Sequence, residues 1–279
     1  MILGLLKRIQ KEHSSVYTLL QSNNSLQKMI KAFITVLIVS SSFLSCNTSN
    51  ENETFVNRIE EAHQKKSFLS KNAIQFDIKL EFGGKERLDA KITLLTNSSK
   101  GLIAFDNGSK IIFDGQKVHY SPDIPNEALV RFDAYTWAYF FLFPYKLSDT
   151  GTKWDNYENT EVDKLGYQTH KLTFEPGTGD APDDWYVVYA DKSNNLIEKV
   201  AYIVTVRGNK EDAEKDPHAI QYLDYVESNG IPIATKWVFW EWEAQQGLTN
   251  SIGNASLSEI GFITTKPDFF TPGSNFKSN

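Results

Sequence analysis

Glu241 and Glu243, set two apart in the run Trp237 to Ala244, are the residues of this 279-residue chain whose types and spacing most resemble catalytic groups. Glycoside hydrolysis uses two carboxylates, one as acid and one as base or nucleophile, several ångströms apart. Carboxylates at i and i+2 on one strand are more often a solvated rim. His170 is in phase with Leu172 and Phe174, which points its ring to the apolar face of a strand. After residue 46 there is no His-x-x-x-His or Cys-x-x-Cys to complete a metal or general-base site. Asp180, Asp183 and Asp184 crowd a loop with Gly177, Gly179 and Pro182, and such oxygens suit Ca²⁺, but their spacing is not that of an Asp-x-Asp-x-Asp-Gly loop. No Gly-x-Ser-x-Gly, phosphate loop or dinucleotide fingerprint occurs. A hydrolase using Glu241, Glu243 or His170 therefore stands only as an alternative, with no catalytic residue assigned and no metal or cofactor expected.

Apolar binding has more residues behind it. Residues 132–147, FDAYTWAYFFLFPYKL, contain eight aromatic side chains. Phe132, Tyr135, Tyr139 and Leu142 share one helical face, while Trp137, Phe140, Phe141 and Phe143 cover much of the remainder. A helix apolar on all sides must be enclosed, either as a lid lining a lipid-sized cavity or as a core helix filling a curved sheet. Strand alternation puts Trp237 and Phe239 on one face with the two glutamates, and Trp240 with Trp242 on the other. The second pair can stack on a sugar ring or pack in a core.

The N-terminal region reads as an address. In Met29 to Cys46, Lys28 and Lys31 precede an apolar run, Ala32 to Val39, and a small, polar approach to the only cysteine. That is signal-peptide grammar, and the run is far short of the roughly 20 residues that span a bilayer core. The stretch resembles the signal peptides of bacterial lipoproteins, which implies acylation of Cys46 as the new N-terminus; the alternative is an ordinary secretory signal cut near Ser42 or Ser45. A lone cysteine in an exported chain has no disulfide partner, and several acyl chains on one residue hold almost permanently. Residues 1–28 read as an over-extended start, or else as a long n-region before residues 29–45.

Charge narrows the partners. The whole chain carries −6; residues 1–46 hold five basic side chains against one acidic, which leaves −10 on the remainder. No basic run is interleaved with aromatics, so nucleic acid is not an expected partner. Anionic membrane surfaces would repel the chain, and a lipid must supply attachment.

The elements that position these residues are mostly strands. Residues 46–53 suit a tether, and Phe55, Ile59 and Ala62 give a helix over about 54–67. Ile74, Phe76, Ile78, Leu80 and Phe82 alternate with polar residues, Gly83-Gly84 turns the chain, and Leu88, Ala90, Ile92 and Leu94 alternate on the return. Three short strands follow to Tyr120, then the aromatic segment, then strands over 152–157, 167–174, 185–191, 196–206, 220–227, 233–244 and 257–264, about twelve in all. Residues 273–279 read as a tail.

This order, together with Phe113-Asp114-Gly115 before a short strand, FPYKL at 143–147 and the strand-Asp-turn-strand of Tyr189 to Lys199, resembles the outer-membrane lipoprotein carriers and receptors of the LolA and LolB type over residues 54–272. In general character the chain is also similar to uncharacterised lipoproteins of Bacteroidota. The resemblance implies a mainly β fold: a single curved, incompletely closed antiparallel sheet, a half-barrel, wrapped over an N-terminal helix and the central aromatic helix. It also implies an apolar concave face that takes acyl chains. The expectation is a non-catalytic lipoprotein, lipid-anchored in the cell envelope at the outer membrane, that binds a lipid or acyl chain through Phe132, Tyr135, Trp137, Tyr139, Phe140, Phe141, Phe143, Trp240 and Trp242. A surface glycan-binding or protein-interaction lipoprotein is the alternative.

Overall fold

The structure, a computed structural model, describes residues 50–158, 166–206 and 208–278. Cys46 and the signal-peptide segment lie outside them. The chain divides into Met1–Glu51 and Asn52–Asn279, and the sheet and its core belong to the second unit.

Thirteen strands form one antiparallel sheet among the described residues. They are β1 (Ala73–Phe82), β2 (Lys85–Leu95), β3 (Gly101–Ala104), β4 (Lys110–Phe113), β5 (Val118–Tyr120), β6 (Thr152–Asn156), β7 (Tyr167–Phe174), β8 (Tyr186–Asp191), β9 (Ile197–Tyr202), β10 (His218–Ser228), β11 (Ile231–Glu243), β12 (Gly247–Ile263) and β13 (Lys277–Ser278). The order is β13-β5-β4-β3-β2-β1-β12-β11-β10-β9-β8-β7-β6, so β13 and β6 are free edges and the sheet is not closed into a barrel. Two meanders, β1 to β5 and β6 to β12, are joined by the long β1–β12 pairing, from Ala73 opposite Ile263 to Phe82 opposite Gly253. Gly253 permits that approach: a Cβ there would stand 2.6 Å from the Glu81 carbonyl oxygen. Lys277–Ser278, inside the stretch read as a tail, pairs with β5.

Local sequence explains the hairpins. Gly83 and Gly84 both take left-handed φ, 56° and 72°, as a two-residue turn matched to strand twist requires. Asn229 and Gly230 do the same between β10 and β11. Alternation then sorts the side chains. Phe76, Ile78 and Leu80 of β1, Ala90, Ile92 and Leu94 of β2, and Trp237 and Phe239 of β11 share one core with the helices; this is the inner face.

Helix α1, residues 50–62 within the described part, buries Phe55, Val56 and Ile59 in that core. The single helix expected over 54–67 is interrupted: Gln64 sits at φ 56° and a short α2 (Lys65–Leu69) starts a new direction. The break lets Phe68 stack flat on Tyr145, ring centroids 3.7 Å apart. The aromatic helix α3 (Val130–Leu142) is followed by a 3-10 turn, Phe143–Tyr145, and both pack in the inner core. A four-residue helix α4 (Lys210–Ala213) lies between β9 and β10. Among the described residues no helix is long and apolar enough to cross a membrane.

Candidate functional site

Helix α3 lies against the inner face with aromatic rings on several strands. Phe141 stacks on Phe76 of β1 at 4.2 Å. Phe140 meets Tyr202 of β9 and Phe239 of β11 at 5.0 and 5.9 Å. Trp137 meets Phe239 at 6.1 Å, and Tyr139 with Phe143 brackets Tyr186 of β8 at 5.5 and 5.3 Å. Trp137, Phe140, Phe141 and Phe143 are buried, whereas Phe132, Tyr135 and Tyr139 are half-buried along the other side of the helix. Burial holds the Tyr139, Tyr186, Tyr202 and Tyr222 hydroxyls above the ordinary phenol value, so all four stay neutral donors.

Three polar ties hold the helix. Arg87 is the extra residue of a bulge in β2, where Leu80 faces Leu88 but Glu81 faces Glu86. From there its Nη2 donates to Asp133 Oδ1 at 2.5 Å, and the same oxygen accepts from Trp137 Nε1 at 3.1 Å. At the other end, Pro144 stands four residues after Phe140 and has no N–H for that carbonyl. The Tyr222 hydroxyl of β10 donates to it instead, at 2.9 Å. The third tie, Arg131 bidentate to Asp180 at 2.6 and 2.8 Å, is exposed and contributes little.

A cavity beside Phe141, lined also by His63, Tyr145, Tyr222, Tyr225 and Trp237, has about 20 Å³ of free volume, room for a single water. His63 is buried there, its Nε2 accepting the Ile197 N–H at 3.1 Å, and burial pushes its pKa down to about 3. With Nε2 as acceptor, the neutral ring carries its proton on Nδ1.

The other sequence candidates are dispersed. Trp240 and Trp242 sit on the outer face, in a second core with Trp185, Val187 and Tyr189, not with the helix aromatics. The β12 strand opposite carries extra residues on both sides of Trp240, and Glu241, Trp242 and Glu243 all contribute to the lining of one cleft. Glu241 accepts from Asn250 Nδ2 at 2.7 Å and Glu243 from Gln246 Nε2 at 2.5 Å. His170 does face inward, stacked on Phe55 at 4.0 Å with its Nδ1 2.6 Å from Asn52 Oδ1. The loop aspartates diverge: Asp180 goes to Arg131, while Asp184 is buried and accepts from Thr205 N and Oγ1 at 2.7 and 2.8 Å. No group of three or more metal-ligating side chains occurs among the described residues.

An open antiparallel sheet with a helix-covered inner face has counterparts among solved structures. A LolA superfamily protein from Nitrosomonas europaea superimposes with a TM-score of 0.51 at 11% identity, over 78% of this chain and 96% of that one. The fold is LolA-like. A putative outer membrane lipoprotein-sorting protein domain from Vibrio parahaemolyticus is similar at TM-score 0.44 and 13% identity, over 76% of this chain and 95% of that one. A DUF1329 family protein from Desulfovibrio piger has a TM-score of 0.42 at 12% identity, over 77% of this chain and 95% of that one. No family model and no curated protein sequence matches.

Three residues of the inner face of the LolA-like sheet, His63, Tyr222 and Arg87, were not singled out from the sequence, and two had left a signal. Phe55, Ile59 and His63 recur every four residues, which continues the buried stripe of α1 to the histidine. Pro144 marks Phe140 as a carbonyl in need of an outside donor, although nothing local names Tyr222. Arg87 had none, because its role depends on a bulge.

Proposed function

We propose that this protein is a non-catalytic cell-envelope lipoprotein, tethered through an acylated Cys46, that binds a lipid or other apolar ligand on the inner face of its sheet. One observation carries the reading: α3, apolar on nearly all sides, rests in an open LolA-like sheet with its aromatic side chains where an acyl chain would lie. An occupant of that face must displace α3. An acyl chain would cover the inner-face area that the helix now covers, at about 25 cal/mol per Å², and the buried rings of α3 would themselves need new cover. One partly buried ion pair, one buried hydrogen bond and one exposed ion pair are what must break besides. The carriers that the sequence resembles work on this face, which is the ground for choosing a lipid over another apolar molecule.

The test is lipid extraction and mass spectrometry of protein released from its anchor, with uptake of a fluorescent fatty acid by the delipidated protein. A lipid species near one per chain, or saturable uptake, supports the reading. A clean spectrum together with no uptake refutes it. For the tether, Cys46→Ala is expected to move the protein into the soluble fraction, and unchanged membrane association would refute that part alone.

A further inference from the structure

The outer face carries a second concavity, a cleft of about 520 Å³, within the size range of small-ligand sites. Its floor includes Trp185 and Trp242, edge to face at 6.1 Å. Lys171 of β7 enters from one side with its Nζ 4.6 Å from the centre of the Trp185 ring, and burial lowers its pKa below the ordinary lysine value. Glu214, Glu241 and Glu243 stand on the rim, exposed. Trp242 is 4% exposed, lines the cleft, and its Nε1–H has no acceptor among the described residues.

Each class of ligand meets a different obstacle here. Four acidic and two basic side chains line the cleft, a formal −2, which repels phosphates and uronates. A second cation on the indoles would meet the ammonium already standing over Trp185. A purely apolar guest would take carboxylates and an ammonium out of water with nothing to bond them. A neutral ring bearing hydroxyls avoids all three. Its C–H faces lie against the indole edges, its oxygens accept from Lys171 Nζ, and its hydroxyls donate to Glu241 and Glu243. We infer that the outer cleft between β7, β8 and the β11–β12 hairpin binds a short neutral saccharide. This site is on the opposite side of the sheet from α3, so it stands or falls independently of the lipid reading.

The experiment is calorimetric titration of the purified protein with N,N′-diacetylchitobiose, cellotriose and maltotriose, with a uronate disaccharide and trilysine as charged competitors. Binding of at least one neutral saccharide is expected, weakened roughly tenfold or more by Glu241→Ala with Glu243→Ala, as loss of charge-assisted hydrogen bonds implies. Lys171→Met should weaken it similarly, and both variants change side chains outside the inner core. The inference is overturned if no neutral saccharide binds at about 10 mM, if neither variant alters binding, or if trilysine or the uronate binds more tightly than the neutral sugars.

Discussion

Replacing Tyr222 by Phe tests how α3 is held. The substitution removes one oxygen and leaves ring packing intact, so no cavity forms. What it strips away is the donor to the Phe140 carbonyl, in a place where Tyr222 is 4% and Phe140 5% exposed. Pro144 cannot take over, since it has no N–H. A buried carbonyl left without a donor costs about 1–3 kcal/mol. With a urea dependence of about 2–3 kcal/mol per molar for a domain of this size, the unfolding midpoint should fall by about 0.3–1.5 M. Amides in the last turn of α3 should also exchange faster with deuterium. The mechanism makes a sharper demand: in a Pro144→Ala background the backbone N–H is restored, and Tyr222→Phe should then cost at least about 1 kcal/mol less. An unchanged midpoint, or an equal cost in both backgrounds, would refute the reasoning.

Other perturbations probe the same core. His63 has its pKa depressed from 6.5 to about 3 by burial, so the unfolded chain takes up the proton first. Its stabilising effect is complete above pH 6.5 and is lost as pH falls toward 3, at about 1.4 kcal/mol per pH unit. Urea midpoints between pH 7.5 and 5.5 should therefore slope less in His63→Phe than in the parent, even though the variant is less stable overall; parallel slopes would contradict this. At Gly101 a Cβ would stand 2.2 Å from the Phe113 ring and 2.8 Å from a Leu94 methyl, so Gly101→Ala should lower stability by about 1–3 kcal/mol in thermal unfolding. Asp133→Asn breaks the ion pair with Arg87, where the side chains are 10% and 27% exposed, and should cost about 2 kcal/mol. The same variant should speed fatty-acid uptake if α3 is the element that moves; slower or equal uptake would separate the tie from the motion.

What the chain declares locally, it declares well. The alternation from Ile74 to Phe82, the glycine pair at 83–84 and the Asn-Gly turn at 229–230 define hairpins because strand periodicity and left-handed turn residues act over a few positions. The need to enclose residues 132–143 was equally plain, since a helix without a polar side has nowhere else to go. Tertiary structure alone settled three other matters. Alternation says which side chains share a face but not which distant strand lies alongside, so the joining of β1 to β12 across the whole chain is invisible to it. A bulge one residue long resets the faces of a strand: it delivered Arg87 of β2 to Asp133. How much space stays free under the aromatic helix is a small difference between two large volumes, and only side-chain packing decides it; beside Phe141 about 20 Å³ remains.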